Sequence, residues 1–314
     1  MIEGLRDKAI GLGFAAVGVA PAIDEVTRVH GWTRSVVCAA ISYLPPERPA
    51  AGEASRGLVA RIARGADYHD VVREKLERLV EAVRAECPAA RVEICVDTNP
   101  LPERRLAALA GLGWIGKNGC LFVEGCGSWA ALGEIVTDAE LESESRTIER
   151  QCGDCTRCMD ACPTGAITSP GVIDRARCVA ALTQQSEAVQ MERRAAFGPR
   201  VYGCDLCQEV CPCNAAIEPV TPEFAQVVFP GADPELIPLI NLTAAEFRTN
   251  VAHSSIGWIR RTRIRRNAAI AAGNLGCADA VPALKEMLAD ENPMLRETAE
   301  WAIKEIRGRL LNRR

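Results

Sequence analysis

Nine of the 15 cysteines fall between residues 152 and 213, at spacings that suit cluster ligands better than disulfides. The run CGDCTRCMDACP places Cys152, Cys155, Cys158 and Cys162 ahead of Pro163. Three thiolates at this spacing wrap one 4Fe-4S cube while the fourth points to a neighbouring cube, as in two-cluster ferredoxins. Cys204, Cys207 and Cys211, ahead of Pro212, repeat the end of that pattern without its first cysteine, which Cys178 can supply from upstream. The crossing rule then predicts one cluster on Cys152, Cys155, Cys158 and Cys211 and a second on Cys162, Cys178, Cys204 and Cys207, with Cys213 a spare. Structural zinc also takes paired cysteines, but it leaves the triplet and both Cys-Pro endings unexplained. Cys38, Cys87, Cys95, Cys120, Cys126 and Cys277 are scattered. Two clusters alone make an electron-transfer module, so the bond-breaking chemistry must sit elsewhere in the chain.

Two further stretches carry reactive or binding groups. In residues 96–138, Asp97 ends a predicted strand, where open α/β sheets bind ligands, although a turn or N-cap aspartate reads equally well there. The glycines of GLGWIGKNG let backbone approach a ligand, with Lys117 and Asn118 as polar contacts, but no nucleotide fingerprint matches. Farther on, IRRTRIRRN sets Arg260, Arg261, Arg263, Arg265 and Arg266 together. On a helix these spread over more than one face, so part of the run is solvated surface and part is available to phosphate. Only three histidines occur, His30, His69 and His253, and the cobalamin-ligand pattern D-x-H-x-x-G is absent.

The elements that must position these groups divide the chain in three. Residues 1–145 alternate β-rich runs (15–20, 35–44, 91–97, 120–124 and 131–136) with helical ones. The helix predicted over 68–86 gathers Val71, Val72, Leu76, Leu79, Val80 and Val83 on one stripe before Pro88. This is a layered α/β or α+β domain. Residues 146–215 hold the cysteines and are poor in apolar side chains, so bound metal must help to hold them together. Residues 216–314 are a Pro-punctuated linker and helices with turns at Asn274, Gly276, Pro282 and 290–293, a HEAT-type unit expected to pack as an appendage.

Composition sets the outer limits. The chain has 314 residues, 48% hydrophobic and 25% charged, enough for a sizeable core. With 37 basic and 41 acidic residues the net charge is -4, which excludes nucleic-acid binding by bulk electrostatics and leaves only a local patch. The apolar run 9–20 is too short to span a bilayer and lacks a positive flank, so a cytoplasmic, non-membrane protein is expected.

The segments ARIARGADYHDVVREKL, VDTNPLPERRLAALAGLGWIGKN, GSWAALGEIVTD, CGDCTRCMDACPTGAI, YGCDLCQEVCPCN and LIPLINLTAAEFR with IRRNAAIAAGN together resemble the epoxyqueuosine reductase family, in order from about residue 35 to 305. The resemblance implies a cobalamin-binding catalytic domain at 1–145, a ferredoxin-like domain with two 4Fe-4S clusters at 146–215 and a short HEAT-like region at 216–314. It implies reduction of epoxyqueuosine to queuosine at the tRNA wobble position, in tRNAs for Asp, Asn, His and Tyr, with an external electron donor and a monomeric enzyme. On the same footing Asp97 matches the family's proton donor, with a pKa expected to be raised by burial beside the corrin. Tyr68, Lys117, Asn118 and Ser128 are expected at cobalamin, which binds base-off without a histidine ligand. Thr183, Gln184, Arg260, Arg261 and Arg265 are expected at the RNA, and the cluster using Cys178 is expected nearer the cobalt. A wobble base is already unpaired, so extruding it into a pocket costs little. Departures from the family pattern are Asn99 for Gly, Cys213 for Trp, Ile62 for an aromatic, and a short helical end. A reductive dehalogenase shares cobalamin and two clusters, and a ferredoxin-like carrier shares the clusters alone; the arginine run and HEAT-like helices favour the tRNA substrate.

Overall fold

The computed structural model describes residues 2–45, 53–97, 100–143, 148–149, 151–218, 221–225 and 228–311. Asn99 therefore lies outside the described residues. Four strands form one sheet: β1 (Ala16–Pro21), β2 (Ser35–Ser42), β4 (Val92–Cys95) and β5 (Ala130–Thr137), in the order β1-β2-β5-β4. A short β3 (Leu58–Val59) lies outside this sheet. Every pairing in the four-stranded sheet is antiparallel, with β5 central and Glu134 opposite both Cys38 and Cys95. The layers are therefore of the α+β kind, and the rule for ligands at parallel strand ends does not apply. Asp97 nonetheless sits just beyond β4.

Each face of the sheet takes a helix. Helix α1 (Tyr68–Glu86) starts at Asp67, whose side chain accepts from the His69 N–H, and buries Val72, Leu76, Leu79, Val80 and Val83. Gly133 in β5 lets α1 come close, since a Cβ there would lie 2.6 Å from Val72. On the other face α2 (Glu103–Leu109) buries Leu106 and Ala107 in a cluster with Val36, Cys38, Ala40 and Cys95.

The C-terminal helices are α4 (Arg260–Leu275), with Gly276 as its left-handed cap as expected, α5 (Val281–Met287), in whose first turn Pro282 lies rather than in a loop, and α6 (Pro293–Leu311). Asn274 belongs to α4 itself and donates to the carbonyls of Arg194 and Gly198. These helices are more than an appendage. Ile264, Ala268 and Ile306 share one core with Val59 of β3, Val179 and Leu182 of α3 (Val179–Gln184), and Val201 of β6 (Arg200–Tyr202). The helical end thus braces the segment that carries Cys178 and Cys204. No helix among the described residues is long and apolar enough to cross a membrane.

Candidate active site and cluster sites

Where β3, α1, α3, β6 and the turn before α4 meet, they enclose a cavity of about 1090 Å³. Its lining includes Asp67, Tyr68, His69 and Asp97, then Ala180, Gln184, Gly203 and Cys204, and the exposed Trp258 and Arg260 at the rim. Asp97 has a left-handed backbone, φ 50°, uncommon for a residue with a Cβ. The Tyr68 hydroxyl donates to Asp97 Oδ2 at 2.6 Å, and His69 Nε2 faces the same oxygen at 3.6 Å. His69 Nδ1 is 2.7 Å from Asp67 Oδ1. With one carboxylate on each ring nitrogen, the imidazole is held protonated to about pH 9, the Asp67 hydrogen bond contributing most.

This arrangement corrects the expected state of Asp97. The His69 contact outweighs burial and, helped by the Tyr68 hydroxyl, holds the carboxyl below its ordinary range. The proton of this wall therefore resides on His69. Both His69 ring nitrogens thus face carboxylate oxygens. Burial, with the Asp97 hydrogen bond, pushes the Tyr68 phenol well up, so it stays a donor. Ile62, at the family's aromatic position, also lines the cavity.

The cysteines assemble by two different routes. Cys152, Cys155, Cys158 and Cys211 line a void of about 100 Å³, with Cys213 beside them. The Lys117 N–H points at Cys152 Sγ at 3.5 Å, and the Ala166 N–H at Cys162 Sγ at 3.3 Å, the N–H to sulfur contacts that stabilise cluster thiolates. Of the eight expected ligands, only Cys204 reaches the large cavity. Cys120, one of the scattered cysteines, packs against Cys207 and lies 3.4 Å from Gln208 Oε1. No spacing rule flags a lone cysteine that folding brings to a distant motif.

Several residues expected at ligands do other work. Lys117 Nζ donates to the carbonyls of Gly153 and Cys155, and Asn118 Nδ2 to that of Cys207, so both clamp the cysteine segment onto the first domain. Ser128 is buried; its N–H and hydroxyl both bond the Asn214 side chain. Thr183 is buried with its hydroxyl bonded to Ala180 O and the Gly203 N–H, whereas its neighbour Gln184 lines the cavity.

The arginine run is likewise mostly internal. Arg265 bonds Ile240 O and Asp290, Arg261 bonds Leu242 O, and Arg263 bonds Gln184 O. Arg266 is fully buried and caps the carbonyls of Leu182, Thr183, Gln185 and Glu187. Helical periodicity turns Arg263 and Arg266 toward α3 and Arg261 and Arg265 toward the carbonyls of Leu242 and Ile240. Only Arg260, exposed and with φ 65°, stands at the cavity rim, which corrects the expectation for Arg261 and Arg265.

A thiol quartet around the smaller void, with Cys204 of the same cysteine-rich segment at an acid-lined cavity, points to the class, an iron–sulfur reductase. The comparisons agree. The 4Fe-4S double cluster binding domain matches residues 151–214, epoxyqueuosine reductase QueG matches 24–98, and HEAT repeats match 260–310. The Staphylococcus aureus epoxyqueuosine reductase is 35% identical over 281 residues, covering 88% of this chain and 73% of that protein. The Bacillus subtilis enzyme is 37% identical over 287 residues, covering 87% and 72%. A crystal structure of epoxyqueuosine reductase with an epoxyqueuosine-modified tRNA-Tyr stem loop superposes with a TM-score of 0.89 at 33% identity, covering 97% of this chain and 90% of that one. A Bacillus subtilis structure, described as having its catalytic aspartate loop swung out of the active site, superposes at 0.87 and 32% identity with the same coverage. The chain belongs to the epoxyqueuosine reductase family.

Proposed function

We propose that this enzyme reduces epoxyqueuosine in tRNA to queuosine within the large cavity, with Asp97 and His69 supplying the proton to the departing oxygen. Conversion of an epoxide to an alkene consumes two electrons and two protons and releases water. The observation that carries the assignment is the cavity itself, whose lining brings the proton-holding pair Asp97 and His69 together with Cys204. His69 holds a proton through neutral pH, and Asp97, in contact with it and with Tyr68, relays that proton to oxygen.

The cavity also suits the cofactor the family resemblance implies. Its volume reaches the upper end of small-molecule sites, room for a broad, flat group and part of a nucleoside. Cobalamin, when bound, supplies a low-valent metal centre able to reduce the epoxide. Tyr68, Gln184, Gly203 and Cys204 line the space that would hold it. Gly203, at φ 67°, brings its backbone to that wall without a side chain. We assign the nearer cluster to Cys162, Cys178, Cys204 and Cys207, because Cys204 lines this wall, and the outer cluster to Cys152, Cys155, Cys158 and Cys211 around the smaller void. The catalytic groups then belong to residues 1–145, the electron relay to 146–215, and the brace and RNA rim to 216–314. At that rim Trp258 is 54% exposed and Arg260 makes, among the described residues, none of the internal bonds that hold the other arginines, a stacking face and a phosphate contact for a tRNA loop.

The test is anaerobic reconstitution with iron, sulfide and cobalamin, reduction, and mass spectrometry of nucleosides from tRNA carrying epoxyqueuosine. Queuosine should form with the native chain and fall at least about 100-fold with Asp97→Asn, while the visible spectrum shows corrinoid still bound. Full activity in Asp97→Asn refutes the acid assignment. A loaded protein that leaves epoxyqueuosine untouched refutes the function.

A further inference from the structure

We propose that Glu103 is a positioning residue for the reduction, a latch whose carboxylate grips the Asp97 backbone and holds that residue in the left-handed turn that faces the cavity. The inference rests on the reading of Asp97 as the residue that meets the substrate. Three observations lead to it. Asp97 adopts φ 50° two residues beyond β4, a left-handed conformation uncommon outside glycine, which aspartate tolerates better than most residues and which a hydrogen bond to its backbone helps to hold. Glu103 Oε1 accepts the Asp97 N–H at 2.6 Å, a short, charge-assisted bond. Glu103 also opens α2, whose Leu106 and Ala107 are fully buried against the sheet, so the acceptor stands on a fixed element.

What lies beneath supports the same role. Glu134, on the central strand, is fully buried, and neither carboxylate oxygen has a hydrogen-bond partner among the described residues. A lone charge there is costly, so burial keeps Glu134 protonated. Neutral Glu134 spares Glu103 a second negative neighbour. The charged or titratable groups around Glu103 are Asp97 beyond β4, Arg104 on α2, Tyr68 and His69 on α1, Glu134 on β5 and Cys38 on β2. Burial lifts Glu103 to about 7 against the pull of the Asp97 N–H and of Arg104. The grip therefore strengthens as pH rises through neutrality.

The experiment compares Glu103→Ala with Glu103→Gln in the cluster-loaded protein. Glutamine keeps a carbonyl acceptor for the Asp97 N–H and removes the charge; alanine removes the acceptor. Residue-resolved hydrogen exchange without tRNA should show the Asp97 amide exchanging at least about tenfold faster in Glu103→Ala and close to native in Glu103→Gln. In turnover, kcat should fall about 10- to 100-fold in Glu103→Ala with KM within about twofold of native. Glu103→Gln should recover most of that rate and lose the rise in kcat near pH 7. Unchanged exchange and unchanged kcat in Glu103→Ala overturn the latch. Equal damage in both variants, together with a matching loss of thermal stability, reduces Glu103 to a structural residue and overturns it too. If Asp97→Asn retains full turnover, the acid assignment fails, and hydrogen exchange in Glu103→Ala still decides whether the bond holds the turn.

Discussion

Arg266 and Arg260 lie on the same helix in the same basic run, yet the structure gives them opposite consequences when changed. Arg266 is fully buried and spreads its donors over the carbonyls of Leu182, Thr183, Gln185 and Glu187, at 2.7 to 3.2 Å. These carbonyls lie at the end of α3 and just beyond it, the helix that follows Cys178. Arg266→Met keeps most of the apolar stem and removes the donors. Thr183 O retains a second bond from Asn267 and Glu187 O one from Gln185 Nε2, so two carbonyls, those of Leu182 and Gln185, lose this charged donor without backup, at roughly 1–2 kcal/mol each. The cost is about 2–4 kcal/mol, or a fall of about 4–8 °C in Tm for a chain of this length. Arg260→Ala, at an exposed position, should leave Tm within about 1 °C. The two should separate again in tRNA binding measured against salt. Losing one phosphate contact lowers the slope of log Kd against log salt by about 0.7 to 0.9, expected for Arg260→Ala and not for Arg266→Met. Thermal unfolding of the cluster-loaded protein and filter binding from about 50 to 200 mM salt provide the two readouts. A native Tm in Arg266→Met, or an equal change of slope in both variants, refutes this division of labour.

Two other outcomes follow from the sites. His69 is raised from 6.5 to about 9, so the stability it adds is fully present below about 6.5 and is lost as pH rises through about 9; screening at a side chain 28% exposed reduces it to ~1–2 kcal/mol. Urea midpoints at pH 6 and 9.5 should show that loss in the native chain and not in His69→Ala, and kcat should fall as pH rises through about 9 and the wall gives up its proton. Cys211→Ala should cost one of the two clusters, halving iron content, whereas Cys213→Ala should keep both, as iron assay and the visible spectrum would show; retention of both clusters in Cys211→Ala refutes the ligand set.

What was legible in the sequence was local. Cysteine spacing, the hydrophobic stripe of α1, the β-rich runs and the cap at Gly276 each depend on residues close together in the chain, where geometry follows from spacing alone. Lys117, Asn118 and Ser128 stand in a glycine-rich segment that reads as a ligand loop. Their partners, Gly153, Cys155, Cys207 and Asn214, lie far along the chain, and only folding reveals that these contacts join two parts of the protein.

The sequence by itself determined the metal chemistry and the family, because ligand spacing and long motifs survive without knowledge of the fold. Tertiary structure decided how charge is distributed. It turned Arg265 and Arg266 inward, set His69 between two carboxylates, and so placed the proton on the imidazole and left Asp97 ionised. It also put the Glu103 carboxylate under the Asp97 N–H. The physical reason is that protonation and hydrogen bonding depend on distances of a few ångströms and on exclusion of water, and both arise only when segments remote in the chain pack together.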